Sequence, residues 1–325
     1  MNPPLAQGAQ GGTSSDELAR TGFSTLQPGD RVAVLAPAGP AAPEALAAVA
    51  PLYARHGLRV RLYPSCHADS GYLAGPDALR LADLHAALAD DEVAALHCLR
   101  GGYGAMRLLD GIDTALVRRS RKLLIGYSDI TALHALWCRE GLASLHAPMP
   151  ASDLVLPGRE GDEQALFTLL RQGLRAGERL APELDPAPRA AGLHHPGRAE
   201  GRLIGGNLSL VAALLGTPWA WPAPGAILFL EDVGEELYRV DRLLTQLRLA
   251  GVLEAAAGFV LGSFTEEASP AALLREMLGT LGKPLLAGWP AGHGTPNRPL
   301  PLGVRVALDA DAGTLQLRED FLQAK

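Results

Sequence analysis

From Arg31 onward the chain alternates short apolar runs with stretches whose apolar positions recur every three or four residues. RVAVLAPA (31–38) is a continuous apolar run ending in Pro and Gly, as expected of a strand buried on both faces. Residues 43–57 have helical spacing, and LRVRLYP (58–64) reads as the next strand. DALRLADLHAALAD (77–90) places Leu79, Leu81, Leu84, Ala87 and Leu88 on one helical face. AALHCLR (94–100) is a strand pattern that runs into GGYG, and KLLIGYS (122–128) is another, followed by a helical stretch from Asp129 to about Glu140. Strands alternating with helices predict a parallel sheet with helices on both faces, and ligands then sit beyond the carboxyl ends of the strands.

The alternation breaks over residues 151–200, which are dense in Pro, Gly and charge, with one helical stretch near 163–175. This predicts a connection between domains that carries a loop of the active site. It resumes near Gly201. GGNLSLVAALLG (205–216) reads as a helix opened by a Gly-Gly-Asn turn, and AILFLEDV (226–233) as a strong strand. ELYRVDRLLTQLRLAG (236–251) reads as an amphipathic helix closed by Gly251, GFVLGSF (258–264) as a strand, and VRVALDADAGTLQLRED (304–320) as a terminal hairpin. The division expected is a disordered leader over 1–28, an N-terminal domain over 29–160, a linker with an active-site loop over 161–200, and a C-terminal domain over 201–325.

Composition narrows the function classes. The chain has 325 residues, 48% of them hydrophobic, which supports one large or two ordinary domains. A formal net charge of -6 argues against a nucleic-acid partner, since phosphate binding needs a basic patch. Three cysteines, Cys66, Cys98 and Cys138, make neither a disulfide framework nor a C-x-x-C metal motif, so a reducing compartment is expected. The first residues have neither a basic nor an apolar signal region, and no apolar run spans a membrane. A soluble cytoplasmic protein is the expectation.

The sharpest local signal is GYSD (126–129), a serine at the junction of a buried strand and a helix. Such an elbow exposes the hydroxyl above the sheet edge, and the helix N-terminus behind it offers free N–H groups to a developing oxyanion. The second Gly of a G-x-S-x-G elbow is replaced by Ile130, and an ordinary helix-capping serine is the plain alternative. A serine nucleophile needs a base and a carboxylate behind it. Among nine histidines, His293 stands in PAGHGTPNRPLPLG, a Gly- and Pro-dense loop after an apolar strand, where packing gives no reason for it. His97, His134 and His146 lie within strand or helix patterns and read as core or supporting residues. His194 and His195 are adjacent but lack further ligands for a metal. Glu231 abruptly ends the apolar run ILFLE, with Asp232, Glu235 and Glu236 as competitors for the acidic role. RGGYG (100–104) follows a strand at the same sheet edge, so Gly101 or Gly102 could supply an oxyanion N–H beside that of Asp129. Cys98 and Cys138 fall inside apolar patterns and read as inert core thiols.

Seven segments in order, GYLAGPDALRLADLHAAL (71–88), RGGYGAMRLL (100–109), KLLIGYSDITALHAL (122–136), HAPM (146–149), GGNLSLVAALLGTP (205–218), ILFLEDVGEELYRVDRLLTQL (227–247) and GHGTPNRPLPLG (292–303), resemble the LD-carboxypeptidase family of serine peptidases. The match runs from about Gly29 to Asp320. It departs at Ala147, where the family usually has Gly. The resemblance implies an N-terminal domain like class I glutamine amidotransferases and a smaller C-terminal α/β domain. It implies Ser128 as nucleophile, Glu231 as acid, His293 as base, the Gly102 and Asp129 amides as oxyanion hole, no metal or other cofactor, and a homodimer. The implied reaction removes D-alanine from a cytoplasmic murein tetrapeptide during peptidoglycan recycling. Arg100 and Arg239 are candidates to hold the substrate's free carboxylate. A microcin-immunity-type peptidase, with the same triad acting on an aminoacyl-nucleotide amide, would need an aromatic platform in 151–200, where Phe167 is the only Phe, Trp or Tyr. Two further alternatives are an α/β-hydrolase-type esterase, which the incomplete elbow argues against, and a non-catalytic ligand-binding module on the same scaffold.

Overall fold

The computed structural model describes residues 22–324. It has two principal sheets. The first takes, in spatial order, the strands Leu300–Leu302, Ser144–His146, Leu123–Gly126, Val93–Cys98, Arg31–Leu35 and Arg59–Leu62. All pairings in it are parallel except that of Leu300–Leu302 with Ser144–His146. The apolar runs read from the sequence form its buried centre, and the helices Pro43–Arg55, Asp77–Ala89 and Thr131–Arg139 link its strands. Residues 32–35, 123–126 and 144–146 are all buried, because helices cover both faces.

The second sheet has seven strands, in the order Leu285–Ala287, Gly258–Thr265, Ile227–Val233, Arg198–Asn207, Arg305–Asp309, Thr314–Leu317 and Arg179–Leu180. The first four are parallel, and the last three add antiparallel. The predicted terminal hairpin is Arg305–Asp309 with Thr314–Leu317. The amphipathic helix forms over Leu237–Leu249, with Gly251 beyond it at φ 74°. The two bodies share their cores. Leu133 and Trp137 from the first lie in one apolar cluster with Ile204, Leu208 and Val211 from the second, and Ile125 and Leu145 lie in another with Leu203 and Phe229.

Three expectations are corrected. Of the leader over 1–28, residues 1–21 lie outside the described residues, but Phe23 and Leu26 are buried and Phe23–Ser24 pairs in parallel with Leu322–Gln323. Two large apolar side chains with a place in the core outweigh the polar composition around them. The Gly-Gly-Asn stretch belongs to a strand, with Gly205, Gly206 and Asn207 in register with Phe229, Leu230 and Glu231. The helix starts only at Leu208, where the Asn207 side chain caps it by accepting from Leu210 N at 3.2 Å. The linker is built into both bodies. Its helix Glu160–Gln172 stacks Phe167 on His56 with ring centroids 3.8 Å apart, and its strand Arg179–Leu180 closes the second sheet.

One connection sets up the site. After Leu285–Ala287 at the edge of the second sheet, the chain runs through the GHGTPNRP loop and enters the first sheet as Leu300–Leu302. The loop is therefore strung between the two sheets, above the carboxyl ends of their parallel strands.

Candidate active site

Ser128 follows the Leu123–Gly126 strand and opens a 3-10 turn, Ser128–Ile130, that continues into the helix Thr131–Arg139. Its φ is 64°, an uncommon conformation for a residue with a side chain, and it lifts the hydroxyl clear of the strand. Such strain persists where surrounding structure holds it. Two contacts do so. Ile130, standing in place of the second elbow Gly, packs where a Gly126 side chain would be, at 3.0 Å from a β-carbon there. Gly101 lies against Ser128, and a β-carbon on it would sit 2.9 Å from Ser128 Cβ and 3.5 Å from Asp129 N. Gly102 follows with φ 115°, beside Gly39. The buried Asp129 carboxylate accepts from Ala105 N at 2.7 Å and so ties the RGGYG segment to the elbow. Burial raises its pKa to about 6, partly offset by that hydrogen bond and by Arg80.

Glu231 lies within the second sheet's Ile227–Val233 strand and is wholly buried. His293 reaches both other candidates. Its Nδ1 lies 2.7 Å from Glu231 Oε2 and its Nε2 3.0 Å from Ser128 Oγ, while its backbone N donates to Glu231 Oε2 at 3.2 Å. Burial works against the His293 cation, but the Glu231 charge and hydrogen bond outweigh it and raise the pKa above the ordinary histidine value. Burial likewise opposes the Glu231 anion, and His293 together with His146 outweighs it, lowering the carboxyl to about 2. An ionised carboxylate oriented on Nδ1 leaves Nε2 free to accept the serine proton. Tyr127 packs its ring 4.9 Å from that of His293 and donates its hydroxyl to Asp153 at 2.9 Å.

Sequence reasoning missed the groups that hold the histidine loop. Gly292 N donates to the side chain of buried Asn297 at 3.1 Å, and Asn297 N donates to Asp162 at 3.0 Å. Gly294 N donates to Ser263 Oγ at 2.8 Å, and Arg159 donates to Gly294 O at 3.2 Å. Gly292 has φ 113°, and a β-carbon there would come within 2.5 Å of Glu231 Oε2, so no other residue lets the loop approach the carboxylate. The GHGTPN stretch was legible as a loop. Its partners Asp162, Arg159 and Ser263 lie far away in sequence, within segments that carry no motif.

The remaining candidates separate. Arg100 stays at the glycine loop, donating to Pro40 O at 3.1 Å. Arg239 lies at the surface, 3.7 Å from Glu235 and 3.8 Å from Glu236 on its own helix turn. Asp232 bonds Asn207 and Ser209 and so braces the neighbouring strand end instead of the histidine. Cys66, Cys98 and Cys138 are buried, and burial pushes their thiols well above the usual range, so they stay unreactive. His195 bridges to Leu285 by backbone bonds. Past Gly294 a cavity of about 880 Å³ opens, with Leu184, Ser263, Trp289, Thr295 and Arg298 in its wall.

Residues 32–147 match the model of the LD-carboxypeptidase N-terminal domain and residues 200–308 that of the LD-carboxypeptidase C-terminal domain. The murein tetrapeptide carboxypeptidase of Pseudomonas aeruginosa is 38% identical over 300 residues, covering 88% of this chain and 96% of its own. The crystal structure of muramoyltetrapeptide carboxypeptidase from Oxalobacter formigenes superposes with a TM-score of 0.78 at 29% identity, over 90% of this chain and 99% of that one. The fold is also that of MccF, the microcin C7 self-immunity protein of Escherichia coli, solved with glutamyl sulfamoyl guanosine: TM-score 0.83, 22% identity, 93% of this chain and 99% of that one. With both halves matched in order, and a relative this similar over nearly its whole length, the chain belongs to the LD-carboxypeptidase family.

Proposed function

We propose that this protein is a serine LD-carboxypeptidase that removes the terminal D-alanine of a murein tetrapeptide in peptidoglycan recycling. The observation that carries the reading is the single imidazole of His293 within hydrogen-bond reach of both Ser128 Oγ and Glu231 Oε2. In this reading His293 takes the Ser128 proton as Oγ attacks the carbonyl of the bond to D-Ala. The amides of Gly102 and Asp129 stabilise the oxyanion. The His293 imidazolium then protonates the departing amine, and water, activated by the same imidazole, releases the peptide from Ser128. Arg100, beside the glycine loop, is the better placed of the two candidate cations for the D-Ala carboxylate, since Arg239 is already engaged by Glu235 and Glu236. The cavity past Gly294 offers room for the part of the peptide that stays on the enzyme.

The same reading carries the rest of the functional picture. It has a cytoplasmic homodimer and a first sheet of class I glutamine amidotransferase type over 29–160. A C-terminal domain over 201–325 brings the acid and base. The stacking of Phe167 on His56 inside the fold takes away the one aromatic side chain of 151–200 that a nucleobase platform would need, which favours a murein peptide over an aminoacyl nucleotide.

The test is D-Ala release from a murein tetrapeptide, read by mass spectrometry, with Ser128→Ala in parallel. Release by the wild type, reduced by about 10⁴-fold or more in the variant, is expected. An intact tetrapeptide after incubation with folded wild type overturns the substrate assignment and directs the search to aminoacyl-nucleotide amides.

A further inference from the structure

Behind the histidine, three fully buried polar atoms lack hydrogen-bond partners among the described residues: Glu231 Oε1 and both ring nitrogens of His146. Neither side chain has exposed surface, and His146 Nε2 stands 3.9 Å from Glu231 Oε1. The sequence marked His146 only as a core or supporting residue. The structure places it at the end of the Ser144–His146 strand, in register with Gly126 on one side and Leu300 on the other.

The rings packed around His146 offer it no partner. Phe229 packs edge-on at 5.0 Å, Tyr127 lies at 5.5 Å and His134 at 6.5 Å between ring centroids. The Tyr127 hydroxyl is committed to Asp153, and the two nitrogens of His134 to Ser144 Oγ and Gly126 O. Glu231 presents the complementary need. Oε2 accepts two donors from His293, whereas Oε1 accepts none at hydrogen-bond length. A carboxylate gripped by one oxygen turns easily about its last torsion, which is broad and nearly two-fold. A donor on the second oxygen fixes its plane. Closing the gap from 3.9 Å to hydrogen-bond length takes a shift of about 1 Å or less.

We propose that His146 is a positioning residue for the reaction: as a neutral imidazole protonated on Nε2, it donates to Glu231 Oε1 and locks the carboxylate in the plane that orients His293 toward Ser128. The neutral form follows from the pocket, since a second proton on Nδ1 would be a buried donor with no acceptor. This inference rests on the assignment of Glu231 and His293 as acid and base.

The test uses the full chain with His146→Phe, His146→Gln and His146→Asn. Folding is checked by melting temperature. Two rates are read: kcat and KM for D-Ala release, and labelling of Ser128 by a fluorophosphonate, which needs no peptide substrate. His146→Phe is expected to lower kcat and the labelling rate by about 10- to 100-fold. KM should stay within roughly threefold, and the acid limb of kcat/KM, set by His293, should move to higher pH, because a carboxylate without its second donor is more basic and holds the His293 proton more tightly. The Gln amide nitrogen reaches the place of Nε2 and should recover rates to within roughly fivefold of wild type. The Asn amide stops at the place of Nδ1 and should not. Wild-type rates and pH profile in a folded His146→Phe, or equal losses in Gln and Asn, overturn the proposal. If His146→Phe does not fold, the Gln and Asn comparison decides. If the wild type labels at Ser128 with this dependence on His146 but releases no D-Ala, the murein assignment fails and the positioning role stands. If wild-type Ser128 does not label, the triad assignment fails and the role falls with it.

Discussion

Burial opposes the Glu231 anion, and it is chiefly the His293 imidazole paired with it that reverses this, so the working charge state of the site is a property of contacts and not of any one residue. Because the His293 pKa is raised, and only the neutral imidazole accepts the serine proton, the acid limb of kcat/KM should lie above the ordinary histidine value of 6.5. A pH–rate profile checks it, and full activity retained well below that value would contradict the placement of His293 as base. The stability linkage has two signs. The depressed Glu231 contributes stability above its unfolded value of 4.5, lost as pH falls through about 2, and the raised His293 contributes below its unfolded value of 6.5, lost as pH rises through its folded value. Glu231→Gln should therefore lower the melting temperature most between those unfolded values, and should reduce kcat by about 10³- to 10⁴-fold through loss of the imidazole orientation. A melting-temperature difference between the two proteins that does not vary with pH would contradict the linkage. Ser128 and His293 stood out in the sequence because each sits where packing does not ask for it. His146 did not, since a histidine inside an apolar strand pattern reads the same whether it fills space or holds a carboxylate.

At the scale of elements, the histidine loop is kept in place by side chains from a helix and a strand that the sequence left without a role. Asn297 is the centre of this support. It accepts from Gly292 N and donates its own backbone N–H to Asp162. Asn297→Ala strands the buried Gly292 N–H and should cost about 1–3 kcal/mol of stability. Misplacement of the base should lower kcat by about 10- to 100-fold. Urea unfolding and steady-state kinetics on one preparation measure both, and a loss of stability with kcat intact would confine Asn297 to a structural role. The period of the apolar positions predicted most strands and helices of both sheets, since burial on two faces leaves long apolar runs. It misread Gly205–Gly206–Asn207, where glycines usually signal a turn but here Gly205 lets the neighbouring strand approach at Phe229 and Gly206 lets the helix approach at Thr131. It also left 151–200 as a connection. The helical stretch near 163–175 is legible, but the buried apolar face of Glu160–Gln172, Leu166, Phe167 and Leu170 with Leu169 beside it, is too short a pattern to show that the segment is built into the core.

At the scale of the molecule, PLPLG reads with the Gly- and Pro-dense histidine loop, and proline ordinarily argues against a strand. Pro301 is tolerated because Leu300–Leu302 is the last strand of its sheet and needs no N–H on its outer side. This strand makes the two halves of the chain interdependent. Residues 22–200 expressed alone would leave Ser144–His146 as an open edge and uncover the apolar surface shared with Ile204 and Leu208. They should be recovered as aggregate, and co-expression with 201–325 should restore soluble protein. A soluble, monomeric fragment would show that the first sheet closes without its sixth strand. For the history of such a chain, the same strand acts as a restriction on recombination. A crossover in the connecting segment would join an N-terminal half to a foreign partner that must supply both a base and a fitting sheet edge. Exchange between distant relatives should then yield active hybrids only when the segment from His293 to Leu302 is inherited together with the half it completes.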